Sequence, residues 1–441
     1  MSGMPPARNV SARDDKSGAK AQPHVTISPK HDTNVQMLAA EWHGAKSIKV
    51  NSRPKVLVTD PDDVVLKVTS TCICGSDLHL YLGVMPGMHS GMSLGHEFMG
   101  IVESKGPNVK NVKAGDRVVS SFDIACGQCF FCEKGSYSAC DTTNNSEVEG
   151  MLYGHKTAGF HGYSDLTGGW EGGQAEFARV PFGDMNLLKV PDNLTDDEVV
   201  LLSDVLPTAW HACELGFVGD GDIVAIWGAG PVGMLAAHCA KARGAARVIL
   251  IDNVADRLSF AQAKIPGLEV IDFGKEKTLD ALKRMTEHGP DVCIEAVGFH
   301  YCKTMLSRIQ MALKLETDPS DTVNELTQSY PSEILNELIY SCRKAGRISI
   351  VGVYSGFTNG LNIGAFMEKG LCMRAGQTPV QKYWHALLKM IQEKKLDPTI
   401  VITHHMPLAE ATRGYKIFND KKEENGALVQ KVVLRTPAAM A

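Results

Sequence analysis

No apolar run in this chain is long enough to cross a bilayer. Stretches such as 223–227 and 248–251 fall far short of the roughly 20 residues a membrane helix needs. Residues 1–34 lack the apolar core of a secretory signal, and Asp14, Asp15 and Asp32 argue against a cleavable mitochondrial segment. Neither sign of charge dominates: Lys and Arg total 45 against 50 Asp and Glu, a formal net charge of -5, with no long basic run. That balance makes nucleic acid a poor partner. No internal repeat is visible, and collagen-like, coiled-coil and membrane readings are excluded. A cytoplasmic protein is the expectation.

What is present describes a globular chain of more than one domain. Its 441 residues exceed what one hydrophobic core usually serves, and 44% hydrophobic with 22% charged residues is ordinary composition. Residues 1–34, rich in Ser, Pro, Ala and charge, read as a disordered tail. From 35 to 206, short β-rich runs such as 64–68 and 117–119 sit between Gly, Pro and Asp turns, predicting a largely β, barrel-like domain. From 207 to 376 the rhythm changes to strand and helix. Strands are expected at 222–227, 247–251, 291–296 and 347–353, with helices at 232–243 and 255–264. Such alternation implies βαβ units and a parallel sheet. An insertion near 299–346, with helical stretches at 305–315 and 332–344, is long for one crossover and reads as a lid, a cofactor clamp or a subunit contact. Residues 377–441 predict a helix at 383–393 and then strands.

Twelve cysteines are present, and Cys126, Cys129, Cys132 and Cys140 crowd into fifteen residues. In a large intracellular chain such a cluster points to metal before disulfide. Four thiolates in a short Gly-containing loop can close a tetrahedron around Zn²⁺ with no open position, which is a structural site. The rival is an iron–sulfur cluster. There the fourth cysteine follows after three residues and precedes Pro, whereas here seven residues intervene and Asp141 follows.

A second pattern, Gly228-Ala229-Gly230-Pro231-Val232-Gly233, lies between an expected strand and an expected helix, and Asp252 ends the next strand. Glycines let the backbone approach a pyrophosphate, the helix dipole favours the anion, and the acid accepts from a ribose diol. NAD(H) is therefore favoured over NADP(H), although Arg257 can relax that preference. A third pattern is dispersed. Cys74-Gly75-Ser76-Asp77-Leu78-His79 and Gly95-His96-Glu97 offer a thiolate and an imidazole, and a catalytic zinc takes three protein ligands with one exchangeable position. Singly these residues read as packing or surface; beside a dinucleotide site they read as a metal centre.

In this order, the motifs resemble the zinc-dependent medium-chain dehydrogenase/reductase family, the alcohol dehydrogenase group, over nearly all of the chain after residue 35. Further stretches are similar to its glutathione-independent formaldehyde dehydrogenase subgroup. They are Gly172-Gly173-Gln174-Ala175-Glu176, Leu187-Leu188-Lys189-Val190-Pro191, Leu202-Ser203-Asp204-Val205-Leu206-Pro207-Thr208 and Gly376-Gln377-Thr378-Pro379-Val380. The resemblance implies a GroES-like catalytic domain in two sequence pieces, a Rossmann domain with a doubly wound parallel sheet, and an active site in the cleft between them. It implies NAD(H) and two zinc ions, one structural on the four-cysteine loop and one catalytic on Cys74, His96 and Asp204. His211 is the alternative third ligand.

By the same resemblance, Glu97 approaches the metal or holds its neighbours, and Asp77 accepts from the second ring N–H of His96. Ser76 takes the substrate's hydroxyl proton, and His79 passes it to solvent. Cofactor contacts are expected at Gly75, the glycine loop, Asp252, Arg257, Val297, Gly352 and Val353. Gly75 stands where some relatives carry a cation toward the pyrophosphate, so the hold on NAD is weaker unless other groups compensate. The implied substrate is an alcohol or a hydrated aldehyde such as formaldehyde, with Met85, Trp210 and His211 as candidates for its pocket. Alternatives are a polyol or secondary-alcohol dehydrogenase and a non-catalytic nucleotide-binding redox sensor. A homo-oligomer, dimer or tetramer, is expected.

Overall fold

The computed structural model of the chain describes residues 23–298, 329–354 and 357–439. Residues 1–22 of the expected tail, Cys302 and the expected helical stretch 305–315 lie outside the described residues. For residues 23–34 the expectation of a disordered tail is corrected, because the Thr26 hydroxyl donates to Asp60 Oδ1 at 2.9 Å and strand His31–Trp42 pairs antiparallel with Ile48–Val56 from its first residue. The first half of the chain is built on strand Val64–Ile73, nine of whose ten residues are buried. Burial this continuous, without polar alternation, means that both faces of the strand are covered. The strand sits inside a seven-stranded sheet, pairing antiparallel with Phe98–Lys105 and with Phe177–Val180. It also pairs with Val432–Arg435 from the far end of the chain, Arg435 lying opposite Ser70. The catalytic domain is thus GroES-like and assembled from two sequence pieces.

The segment between those pieces forms a six-stranded parallel sheet. Its order is Glu269–Asp272, Arg247–Asp252, Ile223–Trp227, Val292–Glu295, Arg347–Ile350 and Cys372–Ala375. In chain sequence this is 3-2-1-4-5-6, the doubly wound Rossmann order. Alternate residues of the buried strands feed two separate cores: Val224, Ile226, Val248 and Leu250 one, Ala225, Trp227, Ile249 and Ile251 the other. Strand order reverses between Ile223–Trp227 and Val292–Glu295, which opens a crevice at their carboxyl ends. Helix Val205–Leu215 packs on helix Pro231–Ala242, and the Gln430 amide donates to the Ala229 carbonyl at 2.6 Å, so the two halves are seamed beside that crevice.

The expected elements shift at their ends. The expected helix at 332–344 is Glu333–Ser341, because the backbone turns extended at Cys342, and the expected strand at 347–353 stops at Ile350. Residues 351–353 leave the sheet to line the crevice instead. Strand Glu269–Asp272, helix Thr278–Met285 and strand Cys372–Ala375 were not anticipated, all being short and the first two rich in polar residues, and helix Ala411–Asp420 stands where only strands were expected after residue 393. No helix among the described residues is long and apolar enough to cross a membrane.

Candidate active site

Cys74 follows directly on the buried strand Val64–Ile73, and its N–H donates to Asp77 Oδ2 at 2.9 Å. His96 and Glu97 precede the neighbouring strand Phe98–Lys105. Asp204 comes from elsewhere, at the N-cap of helix Val205–Leu215. The Thr208 hydroxyl donates to Asp204 Oδ1 at 2.7 Å, while Oδ2 lies 3.6 Å from Cys74 Sγ and 3.4 Å from His96 Nε2. One donor atom each from Cys74, His96, Glu97 and Asp204 lies within 4.8 Å of all the others, and all four side chains are buried. On the opposite ring edge, His96 Nδ1 is 3.2 Å from Asp77 Oδ1. Asp77 in turn accepts from the Gln174 amide at 3.3 Å, and the Tyr415 hydroxyl donates to Gln174 Oε1 at 2.8 Å. This chain of contacts sets the imidazole with Nε2 turned toward Asp204, and Ser76 Oγ lies 3.2 Å from the same nitrogen.

The electrostatics of the cluster call for a cation. Burial, then Glu97 and Asp204, push the Cys74 thiol up to about 11. Burial alone would lower His96, but Asp77 and Cys74 hold it well above the ordinary histidine value. Asp204 is held below its ordinary value, against the effect of burial, by the His96 hydrogen bond and charge. Two carboxylates, a thiol and an imidazole removed from water together are unfavourable until a metal replaces the thiol proton. The mixed sulfur, nitrogen and oxygen donors suit Zn²⁺, whereas Ca²⁺ and Mg²⁺ take oxygen ligands.

Sequence reasoning missed the counter-charge to Glu97. Lys431 Nζ lies 2.7 Å from Glu97 Oε1 and 2.6 Å from Oε2, with both side chains at 1% exposure or less. Burial raises Glu97, and Lys431 opposes it; Glu97 in turn is the chief group that raises Lys431 against its own burial. The one available signal was a lysine heading the apolar run Val432-Val433-Leu434.

The cysteine loop closes on itself as its spacing predicts. Cys126, Cys129, Cys132 and Cys140 are all buried, with Cys126–Cys132 and Cys129–Cys140 Sγ pairs each 3.9 Å apart. Every described cysteine is free of a disulfide. The backbone N–H groups of Cys126 and Cys129 donate to sulfur at 3.3 Å, and the Thr142 hydroxyl donates to Cys126 Sγ at 3.3 Å. Proton sharing among the crowded sulfurs holds Cys126 well below an ordinary thiol and Cys132 well above one. Donors aimed at sulfur favour thiolates, and four thiolates with this separation fit a tetrahedral zinc.

The cluster of Cys74, His96, Glu97 and Asp204 opens into a cavity of about 890 Å³ that runs to the carboxyl end of the Rossmann strands. Cys74, Gly75, Ser76, His79, His96 and Asp204 line one end. Gly228, Gly230, Pro231, Val232, Asp252 and Arg257 line the other, with Val297, Gly352 and Val353 on the wall. Gly233 does not reach the cavity; a Cβ there would stand 1.8 Å from the Gly228 carbonyl oxygen, so it sets how closely the helix meets the strand. Gly228 has φ +100°, which only glycine adopts freely. Pro231 begins helix Pro231–Ala242, pointing that helix's free N–H groups at the cavity.

Three expectations are corrected. His79 is only 6% exposed, because the whole of helix Asp77–Tyr81 is buried; it faces the cleft and not bulk solvent. His211 lies two helical turns past Asp204 and turns away from the Cys74–His96–Asp204 cluster, its Nδ1 2.7 Å from the Tyr383 hydroxyl. Trp210 stacks under Arg243 at 4.9 Å and does not line the cavity, whereas Met85 does.

Glu295 ends its strand beside Val297 and Gly352. Burial pushes it up to about 7, although the Val297 and Gly298 N–H groups donate to Oε1 at 2.8 Å. Its ordinary value is 4.5, so the folded state holds a proton that the unfolded chain releases between about pH 4.5 and 7. Stability therefore falls as pH rises through that window, by about 3 kcal/mol at most. A Glu295→Gln variant carries no such titration. Its thermal midpoint relative to the native chain should rise from pH 5 to pH 8; a constant difference would show that Glu295 does not titrate on unfolding.

Comparison with known proteins agrees with this geometry. Residues 60–192 match the alcohol dehydrogenase GroES-like domain family, and residues 231–315 match the zinc-binding dehydrogenase family. A zinc-type alcohol dehydrogenase-like protein of Schizosaccharomyces pombe is 39% identical over 92% of this chain and 94% of its own length. A glutathione-independent formaldehyde dehydrogenase of Pseudomonas aeruginosa is 34% identical over 85% of this chain and 93% of its own. Among solved structures, the alcohol dehydrogenase TADH from Thermus sp. ATN1 superposes with a TM-score of 0.73 at 32% identity, covering 90% of this chain and 99% of that one. With a buried sulfur–nitrogen–oxygen cluster at one end of a Rossmann crevice and these relatives, the chain belongs to the zinc-dependent medium-chain dehydrogenase/reductase family, the alcohol dehydrogenase group of oxidoreductases.

Proposed function

We propose that this enzyme oxidises primary alcohols with apolar tails, and reduces the matching aldehydes, at a zinc held by Cys74, His96 and Asp204. The observation that carries the reading is the single cavity joining those residues to the glycine loop. When bound, zinc supplies a Lewis acid at the substrate oxygen and NAD⁺ accepts the hydride. Ser76 Oγ takes the substrate's hydroxyl proton, and His79, on the adjoining buried helix and lining the same cavity, holds it next. Asp77 fixes the His96 ring, and the Glu97–Lys431 pair keeps a balanced charge behind the ligands. Cys126, Cys129, Cys132 and Cys140 hold the structural zinc. Asp252 reads the adenosine ribose, with Gly228, Gly230, Pro231 and Val232 at the pyrophosphate and Val297, Gly352 and Val353 at the nicotinamide.

The tail preference follows from the walls. Met85, Phe122, Phe160 and Leu166 give the cavity an apolar wall for a chain tail to pack on. Glu149, Thr157 and Thr167 line it too but are engaged with protein groups, the Thr157 hydroxyl donating to Glu149 Oε1 at 2.7 Å and the Thr167 hydroxyl to the Ser164 carbonyl at 3.2 Å. Edge strand Cys372–Ala375 is largely exposed, with Ile363 and Met367 exposed on the preceding helix, and this supports a homo-oligomer formed through that edge. The test is NADH absorbance with methanol, ethanol, longer primary alcohols, matched polyols and formaldehyde with and without glutathione. Each added methylene should raise kcat/KM about threefold to fourfold until the pocket is full, from roughly 0.8 kcal/mol per buried CH₂. A preference for polyols over primary alcohols of equal length would overturn the reading.

A further inference from the structure

Strand His31–Trp42 pairs antiparallel with Ile48–Val56 on one side and with Met92–Ser93 on the other, Trp42 lying opposite Met92. These pairings gather three side chains that the dehydrogenase cleft does not use. Glu41 opposes Lys49 and Ala39 opposes Asn51, so side-chain alternation puts Glu41 and Asn51 on one face of the hairpin. His43 follows the strand, in a turn that its own N–H closes on the Ser47 carbonyl at 2.8 Å. Ser90 arrives from the other side, held by the Gly91 N–H, which donates to the Trp42 carbonyl at 2.8 Å.

Ser90 Oγ lies 2.8 Å from His43 Nδ1, and His43 Nε2 lies 3.1 Å from Glu41 Oε2. A hydroxyl, an imidazole and a carboxylate thus stand in line, each within hydrogen-bond reach of the next. The carboxylate is held in place. The Asn51 amide, itself 3.1 Å from Nε2, donates to Oε2 at 2.8 Å, and Arg53 Nη1 is 3.7 Å from Oε1. Access runs the opposite way: Glu41 is buried, His43 half-buried and Ser90 exposed at the turn. A Cβ on the adjoining Gly91 would meet nothing within 4 Å, so the flank of the hydroxyl is open. Among the described residues no group accepts from the Ser90 N–H, which leaves that donor for an oxyanion.

A serine hydroxyl alone is a weak nucleophile. A base at hydrogen-bond distance, oriented in turn by an acid, activates it, and geometry defines the arrangement whatever the order along the chain. Here Nδ1 faces the serine and Nε2 the acid, and either ring nitrogen can serve as the acceptor.

We propose that Ser90, His43 and Glu41 form a second catalytic site, which hydrolyses short-chain carboxylic esters through an acyl-serine. Ser90 Oγ adds to the ester carbonyl as His43 Nδ1 takes its proton. The bond to the alcohol oxygen breaks, and His43 gives the proton to that oxygen. Water then adds to the acyl-serine with His43 again as base; the acyl–Oγ bond breaks, Oγ recovers the proton and the carboxylic acid leaves. Ester and water give alcohol and acid, with no redox change and no part for a dinucleotide. Glu41 is a positioning residue that orients the ring and balances the imidazolium. Because Ser90 is exposed, a longer acyl chain has little surface to bury against.

The test uses the zinc-loaded full chain without dinucleotide. Turnover is read as nitrophenolate release from p-nitrophenyl acetate. The nucleophile is trapped with diethyl p-nitrophenyl phosphate, whose phosphoryl group stays on serine and is located by peptide mass spectrometry. The native chain should carry the label at Ser90. Ser90→Ala should lose label and ester turnover to the solvent background, while alcohol oxidation and the thermal midpoint stay native. His43→Gln should slow labelling about a hundredfold or more, the worth of a general base. Glu41→Gln should lower kcat for the ester about tenfold with KM unchanged, as for loss of one charge-assisted hydrogen bond. A native chain unlabelled at Ser90, equal ester turnover in Ser90→Ala, or native labelling in His43→Gln would each overturn the site.

Discussion

Replacing Cys74 by Ala is expected to cut turnover at least about a thousandfold and to lower bound zinc from two ions per chain to one. Lewis-acid stabilisation by a metal contributes several kcal/mol to such a reaction, and about 4 kcal/mol corresponds to that factor. Without the thiolate, only His96, Asp204 and the Lys431-paired Glu97 remain. Contacts behind the ligands typically change metal affinity 10–100-fold, so loss of a ligand itself should empty the site at ordinary zinc concentrations. Folding should survive. Cys74 borders the cavity, so truncating it leaves no closed void, and the Asp77 bond is made by the backbone N–H, which alanine keeps. The measurements are zinc by atomic emission, NADH absorbance, and the thermal midpoint in chelator beside native protein treated alike. Two retained zinc ions with native turnover would remove Cys74 from the ligand set.

Cys140→Ser should act on the fold rather than on the chemistry. Structural zinc contributes roughly 10–16 kcal/mol of binding free energy in small domains, comparable with the whole stability of many proteins. The loop it would close carries more than itself. The Ser138 hydroxyl donates to the Gln377 carbonyl at 2.8 Å, and the Ala158 N–H donates to the Ser138 carbonyl at 3.0 Å. Glu149, Tyr153, His155 and Thr157, just beyond the loop, line the cavity. Loss of the zinc should therefore expose the region from Cys126 to Thr157 to proteolysis, leave one zinc per chain, and lower activity through a disordered cavity wall. The doubly wound sheet should stay protected, since its core shares no strand with that loop. A variant with two zinc ions and native protease resistance would refute the structural assignment.

The two clusters that could hold a metal differ in how openly the sequence displays them, and the difference is physical. Cys126, Cys129, Cys132 and Cys140 are close along the chain, so a short loop can bring their sulfurs together whatever the rest does. Cys74 and Asp204 lie 130 residues apart, and no local rule brings them within 3.6 Å. Only the resemblance to a family joined them in advance. The glycine loop stands between these cases: turn, helix start and Asp252 follow from spacing, yet the three N–H groups that occupy the Asp252 carboxylate do not. His211 was a reasonable ligand by residue type, and lost that role when helix Val205–Leu215 turned it toward Tyr383. The short edge strand Cys372–Ala375 escaped notice because its exposed face carries no periodic apolar signal.

By itself, then, the amino-acid order determined the strand–helix rhythm of the Rossmann half, the cysteine loop and the glycine turn between strand Ile223–Trp227 and helix Pro231–Ala242. Each depends on contacts between residues near in sequence, where covalent geometry limits the choices. The tertiary structure alone decided that Lys431 would neutralise Glu97 across 334 residues, that Ser90 would meet His43 across 47, and that His79 would be shut away from bulk water. Burial and pairing of distant charges depend on sheet register and on which surfaces exclude water, and neither is written in local spacing.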